Sequence, residues 1–132
     1  MTDLPEYLTL LRKNLTLNPS LEPKVTISAL DWLSFTENPL SSSHFDVVIL
    51  VDCIYYTSSI PHLVSLLKSV NTKKILCIYE KRDVGEPVVA QELFSNSICN
   101  DFDIVPVDSC DLDPSYICEE IVFLWLTKKV CK

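Results

Sequence analysis

An acid and two tyrosines follow directly on a long apolar stretch of this sequence. The stretch FDVVILV, residues 45–51, is followed by Asp52, Tyr55 and Tyr56. A carboxylate attracts a cationic group, and a phenol can orient a substrate by hydrogen bonding. The pattern therefore indicates a polar site at the end of a buried strand. The alternative is that the strand reaches the surface here and these side chains are only solvated.

The elements around this stretch predict an α/β fold. Apolar runs of strand length alternate with segments whose apolar residues recur at helical spacing, such as Ile60, Leu63, Val64, Leu67 and Val70. Strands without polar alternation are typical of a sheet covered on both faces, and hence of a mainly parallel sheet. In such sheets, ligands bind beyond the carboxyl ends of the strands, where Asp52 lies.

The other elements are predicted from capping residues and apolar runs. A first helix should begin near Asp3 as its cap and end before Pro19, and a strand should cover Lys24 to Leu30. The remaining predictions are a strand over KKILCIYE, a helix from about Pro87 to Cys99, and closing strands FDIVPV and EEIVFLWLTK. Because a dozen-residue acidic loop without a clear helix joins the last two, we expect them to pair antiparallel. One domain is expected over residues 1–132.

Composition excludes several classes of protein. The 132 residues are 48% hydrophobic and 22% charged, with mean hydropathy +0.23, which is typical of a folded domain. A net charge of −7 and an isoelectric point near 4.7 argue against nucleic-acid binding, which requires clustered lysine and arginine. A basic peptide or protein surface is the better match.

The cysteines and histidines predict neither a disulfide framework nor a metal site. Six cysteines are present without a C-x-x-C pair, and His44 and His62 belong to no cluster with metal-ligand spacing. We therefore expect free thiols and no bound metal. The polar N-terminus lacks the apolar segment of a signal peptide, and no apolar run is long enough to span a membrane, so we expect a cytoplasmic protein, with the nucleus as the alternative.

Five motifs resemble the methyltransferase-like 21 group of protein-lysine methyltransferases, within family 16. They are TDLPEYLTLLRKNLTLN from Thr2, LDW from Leu30, DCIYY from Asp52, YEKR from Tyr79, and PSYICEEIVFLWLTKK from Pro114. The most specific of them is the D-x-x-Y element, Asp52 to Tyr55. The resemblance implies the C-terminal portion of a seven-stranded, Rossmann-like class I methyltransferase sheet.

The resemblance also implies roles for individual residues. The cofactor would be S-adenosylmethionine, with Asp3 on the ribose hydroxyls, Asp31 and Trp32 beside the adenine, and Asp52 at the methionine end. Asp52 and Tyr55 would be the catalytic pair. The substrate-binding residues would be Tyr55, Tyr56 and Glu80. Asp3 as a helix cap, Trp32 as a packing residue and Glu80 as a solvated strand end are the competing interpretations. The implied partner is a protein substrate, for which the ATPase chaperone valosin-containing protein is the candidate.

The sequence departs from the family pattern at its start. Gly85 is the sole glycine, so the glycine-rich motif that surrounds the methionine part of the cofactor is missing. We therefore expect an N-terminally truncated methyltransferase domain that binds S-adenosylmethionine poorly by itself and can self-associate through the exposed edge of strand 45–51. The function implied is protein-lysine methylation; the alternative is an inactive form that acts as a protein-interaction module. A flavodoxin-like nucleotide-binding domain is disfavoured, because no phosphate loop is present.

Overall fold

The computed structural model describes residues 1–129. The chain folds into two compact units, residues 1–41 and 42–132. The single domain expected over residues 1–132 stays a prediction. Cys131 lies outside the described residues. Among the helices of the described residues, none is long and apolar enough to cross a membrane.

The first unit is built around a short parallel pair of strands. Strand β1 pairs with β2 so that Asp3 is aligned with Ala29. A 3-10 turn, Pro5–Tyr7, leads from β1 into helix α1. The regular elements of this unit are β1 (Thr2–Asp3), α1 (Leu8–Thr16) and β2 (Ser28–Ala29).

The strand predicted over Lys24 to Leu30 is therefore wrong in its extent. Its first residue belongs to a 3-10 turn, Glu22–Lys24, because Pro23 fixes a backbone angle that suits a turn. Only two residues pair, since the partner strand β1 is itself two residues long. Apolar β-branched residues were a correct signal for extended backbone but carried no information about the length of the partner.

The second unit is a four-stranded mixed sheet with two helices. Its elements are β3 (His44–Val51), α2 (Ile60–Ser69), β4 (Asn71–Glu80), α3 (Glu86–Ile98), β5 (Phe102–Pro106) and β6 (Ile121–Lys128). The strand order is β3-β4-β6-β5, with β3 parallel to β4. Strand β6 runs antiparallel to both of its neighbours, so the predicted antiparallel closing pair is confirmed. The α/β fold class is confirmed with it, but this sheet is mixed rather than mainly parallel, since one of its strand pairs is parallel and two are antiparallel.

The core of this unit lies on one face of the sheet. Leu50 is aligned with Cys77, and Ile75 is aligned with Leu126, so these four buried side chains share a face. The helices contribute the rest of the core. All five apolar residues predicted to line α2 and its end are buried: Ile60, Leu63, Val64, Leu67 and Val70. From α3 come Ala90, Phe94 and Ile98.

The opposite face of the sheet is apolar but only partly covered. On β3, the alternate residues Val47, Ile49 and Val51 are 43%, 63% and 58% exposed. Leu76 is aligned with both Ile49 and Trp125, and it continues this face across the sheet with partial exposure. The Lys74 ammonium lies 3.7 Å from the centre of the Trp125 ring and covers part of it.

Candidate functional site

Asp52 directly follows strand β3 and has a backbone conformation that few residues adopt. Its φ of 46° lies in the left-handed region, and it is the sole non-glycine residue with positive φ in the described part of the chain. Aspartate tolerates this conformation better than most residues, and such outliers cluster at functional sites. The Asp52 amide still donates to the Ile78 carbonyl at 2.8 Å. The backbone therefore stays hydrogen-bonded to β4 one residue beyond the end of β3 and then turns sharply.

Two carboxylates share one guanidinium at this end of the sheet. Arg82 Nη2 lies 2.7 Å from Glu80 Oε2 and 4.0 Å from Asp52 Oδ2. The side chains of all three residues are 42–56% exposed, so the ion pairs are largely screened by water and contribute little to stability. The cluster carries a net negative charge that is open to a cationic ligand.

The two tyrosines extend from a segment that one buried side chain anchors. Ile54 is 2% exposed, whereas Tyr55 and Tyr56 are 44% and 57% exposed. The tyrosine rings meet edge to face, with their centroids 4.6 Å apart and an interplanar angle of 62°. The anchor and the ring contact together present two phenols at the surface just after Asp52.

A carboxylate from helix α3 fixes the end of this segment. Glu86 Oε1 accepts hydrogen bonds from the Thr57 amide at 2.9 Å and from the Thr57 hydroxyl at 2.7 Å. These bonds hold the pKa of Glu86 below its usual range. Gly85, with φ 77°, allows the chain to turn into α3 just before this residue.

Helix α3 also supports the Arg82 side of the site. The Gln91 amide nitrogen donates to the Glu80 carbonyl at 2.7 Å, and its oxygen accepts from the Arg82 amide at 3.3 Å. The Gln91 side chain therefore forms hydrogen bonds with two backbone groups at the end of β4, the Glu80 carbonyl and the Arg82 amide. Neither Glu86 nor Gln91 was identified from the sequence, because their partners are 29 and 11 residues distant and no motif reports such a contact.

The first unit places its two candidate acids at the ends of its paired strands. Asp3 is the last residue of β1, and its carboxylate accepts from the Leu4 amide at 2.8 Å. The predicted helix cap is wrong at this residue, because the 3-10 turn begins after Leu4 and has no side-chain cap. Asp31 follows β2 closely and caps the 3-10 helix Trp32–Glu37 by accepting from the Leu33 amide at 3.0 Å.

These two acids therefore belong to one strand end, since β1 and β2 are parallel and aligned. Trp32 is partly exposed directly after Asp31. Both carboxylates keep lone pairs for further donors, because a carboxylate can accept about four hydrogen bonds. The set suits a ligand with neighbouring hydroxyl groups and a flat ring.

The described cysteines and histidines assemble no metal centre. Within residues 1–129, no group of three or more His, Cys, Asp and Glu side chains has the geometry to hold a metal ion. Cys77, Cys99, Cys110 and Cys118 are free thiols. Burial raises the pKa of Cys77 to about 12, with a smaller contribution from Cys53, so this thiol is a core residue rather than a nucleophile.

The α/β fold of this chain resembles that of class I methyltransferases. The chain superposes on the structure titled "Crystal structure of rRNA methylase from Escherichia coli" with a TM-score of 0.54 at 13% sequence identity. The match covers 86% of this chain and 43% of that one. At this identity the likeness concerns the fold alone.

The family follows from the sequence comparisons. A family model described as lysine methyltransferase matches residues 1–97. The protein-lysine N-methyltransferase EFM6 of Saccharomyces cerevisiae is 25% identical over 140 residues, covering 98% of this chain and 54% of the yeast protein. This chain belongs to the lysine methyltransferase family, whose members use S-adenosylmethionine. It spans about half the length of the curated relative it matches.

Proposed function

We propose that this chain carries the acceptor-lysine half of a protein-lysine N-methyltransferase. The match of residues 1–97 to the lysine methyltransferase family is the observation on which the proposal rests. The acidic cluster and the exposed tyrosines after β3 support it, because they suit a lysine ammonium. The proposed substrate is a protein with an accessible lysine, for which valosin-containing protein is the candidate.

The roles proposed for Asp52 and Tyr55 follow from the charge of the acceptor. Removing a proton from a lysine of ordinary pKa costs about 4.6 kcal/mol at neutral pH. A carboxylate raises the pKa of a nearby lysine, so Asp52 would recruit and orient the ammonium rather than deprotonate it. Tyr55 would orient the amine by hydrogen bonding, and Tyr56 would shield it from water. Glu80 adds to the negative charge, while Arg82 limits it.

The residues fit the two ends of the cofactor unequally. Asp3 suits the ribose hydroxyls, and Asp31 and Trp32 suit the adenine, since they combine acceptors with a flat apolar surface. Gly85 is the sole glycine and is committed to the start of α3, so this chain offers no glycine loop to the methionine end. When bound, S-adenosylmethionine supplies an electrophilic methyl group on a sulfonium.

A second function is favoured by the same absence of a glycine loop. A chain that binds the substrate protein but not the cofactor would act as an interaction module. Its net charge of −7 suits a basic partner surface. We propose this as the alternative for the 132-residue chain by itself.

The experiment compares this chain with an extended form that includes a glycine-rich segment ahead of residue 1. Both are incubated with S-adenosylmethionine and valosin-containing protein, and methylated lysines are identified by mass spectrometry. Methylation by the extended form, with binding but no methylation by the shorter chain, is expected. If the extended form methylates no protein lysine although it binds the cofactor, the proposed function is wrong.

A further inference from the structure

We propose that a groove between the end of β4 and helix α3 binds the residues of a substrate protein next to its acceptor lysine and prefers a basic residue there. The preference rests on the proposed methyl transfer to a protein lysine, and it adds a surface outside the acceptor cluster of Asp52 and Tyr55. The groove has a volume of about 400 Å³. We call it the α3 groove, and it is lined by Arg82, Val88, Gln91, Glu92, Ser95 and Asn96.

One face of α3 forms the long wall of the α3 groove. The residues of this wall are spaced i, i+3, i+4, i+7 and i+8, as on a single helical face, and they are Val88, Gln91, Glu92, Ser95 and Asn96. Ala90 and Phe94 belong to the buried face of the same helix. At a rise of about 1.5 Å per residue, the wall is about 12 Å long, the length of about three to four extended residues. A short extended peptide segment therefore matches the groove.

Arg82 connects the α3 groove to the acceptor cluster. Its guanidinium lines the groove, and it also lies 2.7 Å from Glu80 Oε2 and 4.0 Å from Asp52 Oδ2. A peptide whose lysine is bound at Asp52 can therefore continue past Arg82 into the groove. The lining residues belong to one continuous stretch, residues 82–96, so the end of β4 and the helix that follows it are sufficient to form both walls.

Hydrogen bonds inside the protein leave two side chains of the α3 groove available to a ligand. Gln91 is committed to the backbone at the end of β4, and the Ser95 hydroxyl donates to the Gln91 carbonyl at 2.9 Å. Within residues 1–129, the side chains of Glu92 and Asn96 take part in no hydrogen bond or ion pair. An asparagine amide both donates and accepts, so Asn96 suits the backbone of an extended peptide.

The charges of the α3 groove favour a basic residue in the peptide over an acidic one. The positive charge of Arg82 is already paired with Glu80, whereas Glu92 has no cationic partner among the described residues. An arginine of the peptide can form two parallel hydrogen bonds with the Glu92 carboxylate, and an acidic residue would be repelled by it. The net charge of −7 acts in the same direction over longer distances.

NMR titration of the isotope-labelled 132-residue chain tests the α3 groove. The probes are short peptides of alanine and serine with a central lysine, either without arginine or with one arginine placed at each other position in turn. The best arginine peptide should bind about fivefold more tightly than the peptide without arginine, as for a favourable exposed ion pair. It should also shift the amide resonances of Glu92 and Asn96.

Substitutions assign the preference to one carboxylate. Glu92→Gln should abolish the fivefold preference for arginine, whereas Asp46→Asn, which removes a charge from exposed β3, is the matched control and should retain it. Asn96→Ala should weaken the peptides with and without arginine by the same factor, because Asn96 is assigned to the peptide backbone. A preference that both charge substitutions remove equally overturns the proposal, since it would then come from net charge.

Kinetics of the extended form distinguish this proposal from the proposed function. The arginine peptide should have a KM about fivefold lower than that of the peptide without arginine, and Glu92→Gln should remove the difference with little effect on kcat. Methylation of all peptides with equal KM, without shifts at Glu92, overturns the α3 groove and leaves the proposed function intact. Arginine-dependent binding at Glu92 without any lysine methylation supports the groove as a peptide-binding surface and overturns the proposed methyl transfer.

Discussion

The left-handed backbone of Asp52 restricts which substitutions can separate its charge from its conformation. Asparagine adopts positive φ about as readily as aspartate, whereas alanine would add backbone strain. Asp52→Asn therefore removes the negative charge and keeps the turn. The substitution distinguishes an ammonium-binding role from a purely structural one.

In the extended form of the protein, Asp52→Asn should lower kcat/KM for methyl transfer by about 10- to 100-fold, because a misplaced amine loses positioning. Tyr55→Phe should act in the same direction. The free energy of unfolding should change by less than about 0.5 kcal/mol, as for other surface substitutions. Asp46→Asn on the same strand is the control and should leave the rate unchanged. Parallel losses of stability and rate would instead assign Asp52 a structural role.

Burial of Cys77 makes the stability of the fold sensitive to alkaline pH. Its pKa is raised from 9.0 to about 12, so the folded state holds a proton that the unfolded state releases above pH 9. The contribution is fully present below pH 9 and is lost as the pH rises through about 12. The unfolding free energy of the wild type should therefore fall more steeply with pH in this range than that of Cys77→Val. Denaturant titrations at a series of pH values measure the two slopes, and equal slopes would contradict the assignment.

At the scale of elements, the contact between Glu86 and Thr57 connects α3 to the tyrosine segment. The depressed pKa of Glu86 means that the contact is fully present above the usual pKa of 4.5 and is lost as the pH falls through the lower folded value. Glu86→Gln should accelerate hydrogen exchange of the Thr57 amide at neutral pH, because a neutral amide oxygen is a weaker acceptor. NMR-detected exchange gives the rate. Glu92→Gln, elsewhere on α3, is the control, and an unchanged Thr57 rate in Glu86→Gln would show that the contact does not restrain the segment.

Helix α2 is held in place by its fully buried residues. Leu67 is 0% exposed, so Leu67→Ala should lower the unfolding free energy by about 2–5 kcal/mol through lost burial and a cavity. Leu93→Ala on α3, where the side chain is 38% exposed, should cost clearly less. Chemical denaturation of both variants tests the difference. Equal costs would mean that the buried face of α2 does not determine stability.

The elements of the second unit were predictable because their periodicity is local. The apolar spacing in α2 identified five residues that are all buried, and the unbroken apolar runs located β3, β4 and β6. The short pairing of β2 was not predictable, since its length depends on β1, which lies more than twenty residues away. The same applies within the candidate site: Asp52 and Tyr55 were found in one motif, whereas Glu86 and Gln91 reach it only through the folded chain.

At the scale of the whole molecule, family membership and chain length point in different directions. Residues 1–97 match the lysine methyltransferase family, but the chain covers 54% of its yeast relative. The proposed acceptor-lysine region requires a cofactor held in line with the amine, and that alignment depends on both ends of the cofactor. The residues proposed for the ribose and adenine, Asp3, Asp31 and Trp32, would hold only one of these two ends.

The 132-residue chain alone should therefore bind S-adenosylmethionine with a dissociation constant no tighter than about 1 mM, a binding free energy of only about −4 kcal/mol. Well-oriented reactants gain about 7–11 kcal/mol from positioning, so loss of even part of this alignment should abolish measurable lysine methylation. Calorimetric titration and an assay on valosin-containing protein give the two quantities, with the extended form as the positive control. Asp3→Asn should weaken any residual binding further, because the amide is a poorer acceptor for ribose hydroxyls. Micromolar binding accompanied by turnover would mean that this chain fixes the methionine end without a glycine loop.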